Sequence, residues 1–402
     1  MKILLAADQY PEYINGAATF NSRLAAGLSA AGHTVDLLWP SADGEHHTYL
    51  DHGVRVHRLS SIGLPGRPRM QVCTPRATRR QVEQILQITR PDVVHVQSHL
   101  TLGRSLLRAA RAAGVPVVAT NHFMPENLVP HIPVVRRFPD LAARLAWRDL
   151  ERVFGEADVV TAPTQRAVDL LARSTGLPPA AVISCGLDLA RFRAATPAPA
   201  TGDGTAPGPT VLFVGRLEHE KHVDELVAAF ARVPASLRAR LEVVGMGSLR
   251  PQLEAQARRL GLGASVTFTG AVDDDALLAA YRRADLFVMP GTAELQSLAT
   301  LEAMATGLPV VAADAMALPH LVHDGQNGFL VQPGDVDALA SRMTRVLADP
   351  GLADQLGRVS RVVAEGHDLA GTLASFEAHY TRLVAGRRPA PAPADAPLVL
   401  VP

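Results

Sequence analysis

The residues best placed to do chemistry lie in the segment GTAELQSLATLEAMATGLPVVAAD, residues 291–314. Glu294 and Glu302 both fall in it, the first in a loop after an apolar run and the second on a segment with helical character. If the helix begins near Ser297, its first N–H groups are free and its dipole makes that end an anion site. Glu302 then sits one to two turns in, about 8 Å along the axis at about 1.5 Å per residue. The two acids flank an anion site and do not form one tight pair. Ionised carboxylates accept hydrogen bonds from hydroxyls. One acid can thus hold a sugar and the other a ribose, with a diphosphate on the helix end between them. The plainer alternative is a loop acid plus a glutamate favouring the helix dipole.

Further candidates lie upstream. VLFVGRLEHEKHVDEL places Arg216 and Lys221 just after a strand, where two cations suit a pyrophosphate or stand simply as solvated charges. Gly245 and Gly247 in LEVVGMGSL occupy another strand end. A nicotinamide fingerprint wants a third glycine at position 250, which is Arg250. What remains is a tight turn or a backbone that closely approaches a nucleotide. Asp273, Asp274 and Asp275 could hold a metal, but they open a helix and read better as caps.

These residues need a frame that brings them together. A chain of 402 residues is long enough for two or three domains. Hydrophobic content of 48% with 19% charged residues describes a globular protein. Lys+Arg and Asp+Glu are equal at 39 each, so no overall charge draws the chain to nucleic acid. The charge is uneven, with 20 basic against 15 acidic residues up to Gly186 and 19 against 24 after it. Only Cys73 and Cys185 are present, which fits a reducing cytoplasm. The opening MKILLAAD is too short for a signal peptide, and no apolar run approaches a membrane span. A cytoplasmic protein, at most peripheral on a membrane face, is expected.

Short, continuously apolar strands (KILLAA, DVVHVQ, PVVATNH, TVLFVG, DLFVMP, PVVAAD) alternate with helical segments along the chain. That is the pattern of parallel sheets buried on both faces. AATPAPATGDGTAPGP interrupts the alternation and reads as a linker. The expected architecture is α/β, with two doubly wound Rossmann-like domains facing across a cleft, where ligands sit at strand carboxyl ends. Residues 1–190 form the first domain, 191–209 the linker and 210–368 the second domain. A helix at 369–388 returns to the first domain, and 389–402 is a disordered tail.

Taken together, Glu294 to Glu302 with LEAMATGLPVVAAD, VGRLEHEK, GMGSL, FTGAV and the opening Gly16 before a helix ending AAGHTVDLL resemble the retaining glycosyltransferases of family 4, with the GT-B fold. The resemblance covers the chain up to about Gly386 and is specific as a set. It implies a hexosyltransferase that uses a UDP- or GDP-linked sugar as co-substrate and has no cofactor and no metal. Arg216 and Lys221 would bind the donor diphosphate and stabilise the leaving group. Glu302 would hold the ribose hydroxyls, and Glu294 the hydroxyls of the donor sugar. Gly16 would let the first-domain loop approach the diphosphate, with Gly247, Val272, Ser297 and Leu298 also on the donor side. His122, in ATNHF, matches a family histidine near the reacting carbon. The chain departs from the pattern at Asn15-Gly16, at Ser297-Leu298 and at His222, where glycines are usual, which leaves the donor open.

Two other uses of such residues remain. A glycoside hydrolase also employs two acids, but it has no need of Arg216, Lys221 and a helix end. A nucleotide-sugar-binding protein without turnover would need the same donor contacts. The acceptor is a lipid or a small molecule. MPENLVPHIPVVRRFPDLAARLAWRDL mixes Arg136, Arg137, Arg144 and Arg148 with Phe138 and Trp147, as in a segment lying on an anionic bilayer or as in an ordinary helix packed on its own domain.

Overall fold

A computed structural model of the chain describes residues 1–8, 16–64, 67–125, 137–193 and 208–386. The first part contains β1 (Lys2–Ala6), α1 (Gly16–Ala30), β2 (Thr34–Pro40), β3 (His47–Asp51), β4 (Val54–Leu59), β5 (Ser61–Leu64), β6 (Arg67–Cys73), α2 (Pro75–Thr89), β7 (Val93–Val96), α3 (Thr101–Ala112), β8 (Val117–Thr120), α4 (Pro139–Phe154), β9 (Val159–Ala162), α5 (Gln165–Ser174), β10 (Ala181–Val182) and α6 (Leu189–Arg193). The second contains β11 (Thr210–Val214), α7 (Val223–Phe230), β12 (Arg240–Val244), α8 (Arg250–Arg259), β13 (Val266–Gly270), α9 (Asp274–Arg283), β14 (Leu286–Met289), α10 (Leu298–Thr306), β15 (Val310–Ala313), α11 (Leu318–Leu321), β16 (Gly328–Val331), α12 (Val336–Leu347), α13 (Pro350–Glu365) and α14 (Leu369–Ala385).

Two sheets organise these elements. The first has the order β10-β9-β8-β7-β1-β2-β4-β3 and the second β13-β12-β11-β14-β15-β16. Every strand pair in them is parallel except β3 with β4. The apolar runs explain this, since β7, β8, β14 and β15 are buried at every position and need helices on both faces. In each sheet the strand order reverses beside the first strand, β1 or β11, which puts a crevice at that strand's carboxyl end. Gly16 and Arg216 follow those two strands in sequence.

Sequence reading missed β3 and the β5-β6 hairpin. HTYLD in β3 is exposed at all five positions, so it carries no apolar signal, and it holds its place as an antiparallel edge. The linker expectation needs correcting at its start. Residues up to Arg193 are helical, and α6 packs on α10 of the second domain. The rest of the linker's Pro/Ala/Gly-rich text, 194–207, and the tail expected at 389–402 lie outside the described residues. Helix α14 does come back to the first domain. Leu187 bridges Asp368 at the crossing, and α14 then packs on α1 and β7. Its Phe376 and Tyr380 are fully buried there. No helix among the described residues is long and apolar enough to cross a membrane.

Candidate functional site between the two sheets

The carboxyl ends of β13, β12, β11 and β14 present Val272, Gly247, Arg216 and Glu294 in that spatial order. Backbone ties fix the turns that carry them. Glu218, buried, accepts from the Ser248 N–H at 2.9 Å and from the Ser248 hydroxyl at 2.7 Å. A Cβ on Gly247 would stand 2.2 Å from the Leu217 carbonyl oxygen, and only glycine allows that approach. The glycine is therefore required by contact with the protein's own backbone, whatever else binds beside it. Val272 is half-buried and packs against the core at the end of β13.

Lys221 closes a short 3-10 turn, His219–Lys221, and its ammonium donates to Glu294 Oε1. The next residue, His222, has φ 50° and ψ 39°, a left-handed conformation that explains why a glycine suits this position. Its ring meets Glu225 at 2.9 Å and the Thr292 hydroxyl at 3.1 Å, contacts that offset the strain. The Thr292 N–H also donates to the Glu220 carbonyl at 3.0 Å. The cation-bearing turn and the loop before α10 are thus laced into one unit. Arg216 Nη2 lies 2.7 Å from Glu220 Oε1. Among the described residues neither oxygen of the buried Glu220 carboxylate has a hydrogen-bond partner, so charge holds that pair.

The loop carrying Glu294 is buried against the first domain. The Leu295 carbonyl accepts from the Thr164 hydroxyl at 2.9 Å. Thr164 also N-caps α5 by accepting from the Ala167 N–H. Gln296 Oε1 accepts from the Cys185 N–H at 2.7 Å, and its Nε2 donates to the Ser184 hydroxyl at 2.8 Å. Ala293 and Leu295 join an apolar cluster of the first domain.

Helix α10 starts after Ser297, which is at the N-cap but makes no capping bond with its side chain. Its hydroxyl accepts from Thr300 at 2.9 Å. A Cβ on Gly16, the first described residue of α1, would lie 3.6 Å from Leu298 Cδ1. The amino ends of α1 and α10 therefore meet in the crevice, each with its positive dipole end. Asn15 lies outside the described residues.

Glu302 is more engaged than its position suggests. Oε1 accepts from Arg23 Nη2 at 2.7 Å, and Oε2 accepts from the Tyr281 hydroxyl at 3.0 Å. Arg23 comes from α1, so this partly buried pair joins the two domains. A ribose would have to share or displace these donors. Arg23 was missed in the sequence, although it is the only charged residue of α1 and a charge in an Ala/Leu-rich helix is a usable signal. Tyr281 and Gln296 gave no such signal, because each reads as an ordinary core or loop residue.

Asp273 accepts from the Ala276 N–H at 2.8 Å and caps α9, while Asp274 pairs with Arg191 of α6 at 2.9 Å. Both are thus engaged in capping and pairing, in line with the plainer reading. His122 follows β8 and stands 5.1 Å, ring to ring, from Phe20 of α1. Burial lowers its pKa to about 4, so the ring is neutral near pH 7.

Family models agree with this two-part layout. Residues 14–191 match Glycosyltransferase Family 4, and residues 205–362 match Glycosyl transferases group 1. A GDP-mannose-dependent alpha-mannosyltransferase of Mycobacterium tuberculosis is 31% identical over 84% of this chain and 85% of that one. The chain belongs to glycosyltransferase family 4. The sulfoquinovosyl transferase SQD2 of Arabidopsis thaliana is 30% identical over 69% of this glycosyltransferase, which spans only 54% of that relative's length. Among solved structures, a sucrose-phosphate synthase from Thermosynechococcus elongatus superposes with a TM-score of 0.80 over 96% of this chain and 99% of that one, at 23% identity. The two doubly wound domains expected from the strand pattern, and the GT-B fold implied by the resemblance, are observed.

Proposed function

We propose that the enzyme moves a hexosyl group from a nucleoside-diphosphate sugar, UDP- or GDP-linked, to an acceptor hydroxyl with retention of configuration. The observation that carries this reading is the meeting of two helix amino ends, at Gly16 and Leu298, with Lys221 paired to Glu294 in the loop before the second of them and Arg216 after β11. A diphosphate spreads its charge over several oxygens and suits such a cluster. Glu294 holds hydroxyls of the donor sugar, and Glu302 faces the ribose with Arg23 and Tyr281. Gly247, Val272 and Ser297 line the nucleotide side.

When the bond between the anomeric carbon and the β-phosphate oxygen breaks, negative charge grows on the diphosphate. Arg216 and Lys221, held at Glu220 and Glu294 in the free protein, join the helix ends as the positive partners of that charge. The anomeric carbon gains oxocarbenium character, and the acceptor oxygen bonds to it on the face the phosphate leaves. The acceptor's proton passes to the departing phosphate oxygen. His122, neutral, lies at the acceptor side of the reacting carbon. No residue is needed as a covalent nucleophile.

One surface feature favours a lipid acceptor over a soluble one. Leu141 and Leu145 of α4 and Phe138 at its N-cap are 48%, 54% and 61% exposed, at helical spacing. Arg137, Arg144 and Arg148 are exposed beside them, so the helix suits an anionic bilayer. Arg136, named with them above, lies outside the described residues.

The test is a donor screen of UDP- and GDP-sugars, GDP-mannose included, with lipid and small-molecule acceptors. Acceptor-dependent release of nucleoside diphosphate and a product of added hexose mass are expected. Donor binding without release under any condition would make the protein a binder and end the transferase reading.

A further inference from the structure

Beneath His122 runs a chain of buried polar groups that the donor chemistry does not use. His122 Nε2 lies 2.8 Å from Gln97 Oε1. Gln97 Nε2 lies 3.0 Å from His95 Nε2. His95 Nδ1 lies 2.6 Å from the hydroxyl of Tyr380, on α14. His95, Gln97 and Tyr380 are buried, at 0%, 4% and 0% exposure. Thr120 joins at His95 Nε2, 2.7 Å away, and passes on to Thr161 at 2.6 Å. Phe376 of the same helix packs against the His95 ring, 5.0 Å between centroids and tilted by 40°.

The chain has a polarity. In the orientation the structure gives the Gln97 amide, its oxygen accepts from His122 Nε2–H and its nitrogen donates to His95 Nε2, which leaves His95 Nδ1 as the protonated nitrogen. Both rings are neutral, because burial pushes the His95 pKa down to about 3 and that of His122 to about 4. A neutral imidazole has one donor and one acceptor, so each link fixes the next. The last acceptor is the Tyr380 hydroxyl. His122 Nδ1 has no partner among the described residues and remains an acceptor.

We infer that Tyr380 is a positioning residue that acts through His95 and Gln97 to hold His122 as its Nε2–H tautomer, presenting Nδ1 to a substrate hydroxyl. The inference rests on the proposed transferase reading only in what Nδ1 meets. The tautomer itself is a property of the free protein. The helix that supplies Tyr380 comes at the end of the chain, after the whole second domain, so correct docking of the two domains is coupled to the state of a first-domain side chain.

Uniform ¹⁵N-histidine labelling with two-bond proton–nitrogen correlation reads the tautomer, and His122→Gln identifies the resonance among the 15 histidines. In the wild type at pH 7 the Nε2–H form of His122 is expected. In Tyr380→Phe the His95 Nδ1–H loses its acceptor. The His95 ring and the Gln97 amide should then reverse, and His122 should move to Nδ1–H. With donor and acceptor present, the same variant should lower kcat about tenfold while donor KM changes less than about twofold. A wild-type His122 found as Nδ1–H overturns the inference without any variant. So does a folded Tyr380→Phe protein that keeps the Nε2–H form. If the tautomer behaves as stated but His122→Gln turns over normally, the positioning chain stands and the role of His122 in transfer falls.

Discussion

The two sides of the crevice are built from different chemistry. The second-domain side is made of ions, with Lys221 against Glu294, Arg216 against Glu220, and Glu302 against Arg23 reaching across. The first-domain side is made of neutral rings. Burial pushes His95 to about 3 and His99 and His122 to about 4; the Gln97 amide links His95 to His122, and His95 also meets the Tyr380 hydroxyl. The contrast fits what each side does in the proposed transfer. A leaving diphosphate gains charge and needs fixed opposite charge. An incoming hydroxyl is neutral and needs directed hydrogen bonds, which a neutral ring of fixed tautomer supplies.

The largest expected break comes on the ionic side. Arg216→Ala with Lys221→Ala should lower kcat by roughly a thousandfold or more, given about 10²–10³ for loss of one such electrostatic partner. Turnover with saturating donor is the measurement, and normal turnover would end the leaving-group assignment. Next comes the crossing pair. Arg23→Ala strands the Glu302 carboxylate with Tyr281 alone, in a site where the Glu302 side chain is 8% exposed. Loss of one partner of such a pair should cost about 3 kcal/mol in unfolding free energy, read by denaturant titration.

The neutral side has its own signature in pH. The folded-state pKa values of His95, His99, His122 and His367 lie at about 3 or 4, below the unfolded 6.5. The unfolded chain therefore binds more protons in that interval, and stability rises with pH there. Unfolding free energy should be level above about pH 7 and fall as pH drops from 6.5 toward 4. In His122→Gln the slope should be shallower. A flat profile through that interval would mean these rings are hydrated and free to charge.

Gly247→Ala tests how the ionic side is framed. Its Cβ would meet the Leu217 carbonyl at 2.2 Å, so the cation-bearing turn must shift. A cost of about 1–3 kcal/mol is expected, with weaker nucleoside-diphosphate binding by calorimetry. The smallest effect concerns α4. Arg144→Ala with Arg148→Ala should reduce pelleting with anionic vesicles by about 1 kcal/mol per residue, roughly fivefold each. Equal pelleting, or none at all in the wild type, would retire the bilayer surface.

Particular residues show where sequence reading succeeds and where it stops. Helix α10 was placed by local signals, with Ser297 at its start and Gly307, at φ 88°, at its end. The capping role of Asp273 was legible for the same reason. The edge strand β3 was not, because an exposed strand has no apolar alternation to read. Arg23, Gln296 and Tyr380 were missed because their partners lie 279, 111 and 285 residues away. No local pattern encodes a contact of that span.

The sequence by itself determined the parallel sheets and the placement of Arg216, Lys221 and Glu294 after strands and of Glu302 on a helix, and the resemblance of its motifs pointed to the family. The elements follow from periodicity and capping, which act over a few residues. Only the tertiary structure decided which charges meet across the crevice, why Gly247 must lack a side chain, and how His122 is tied to the last helix. Those depend on packing between elements hundreds of residues apart, where a hydrogen bond exists only if both backbones are already in place.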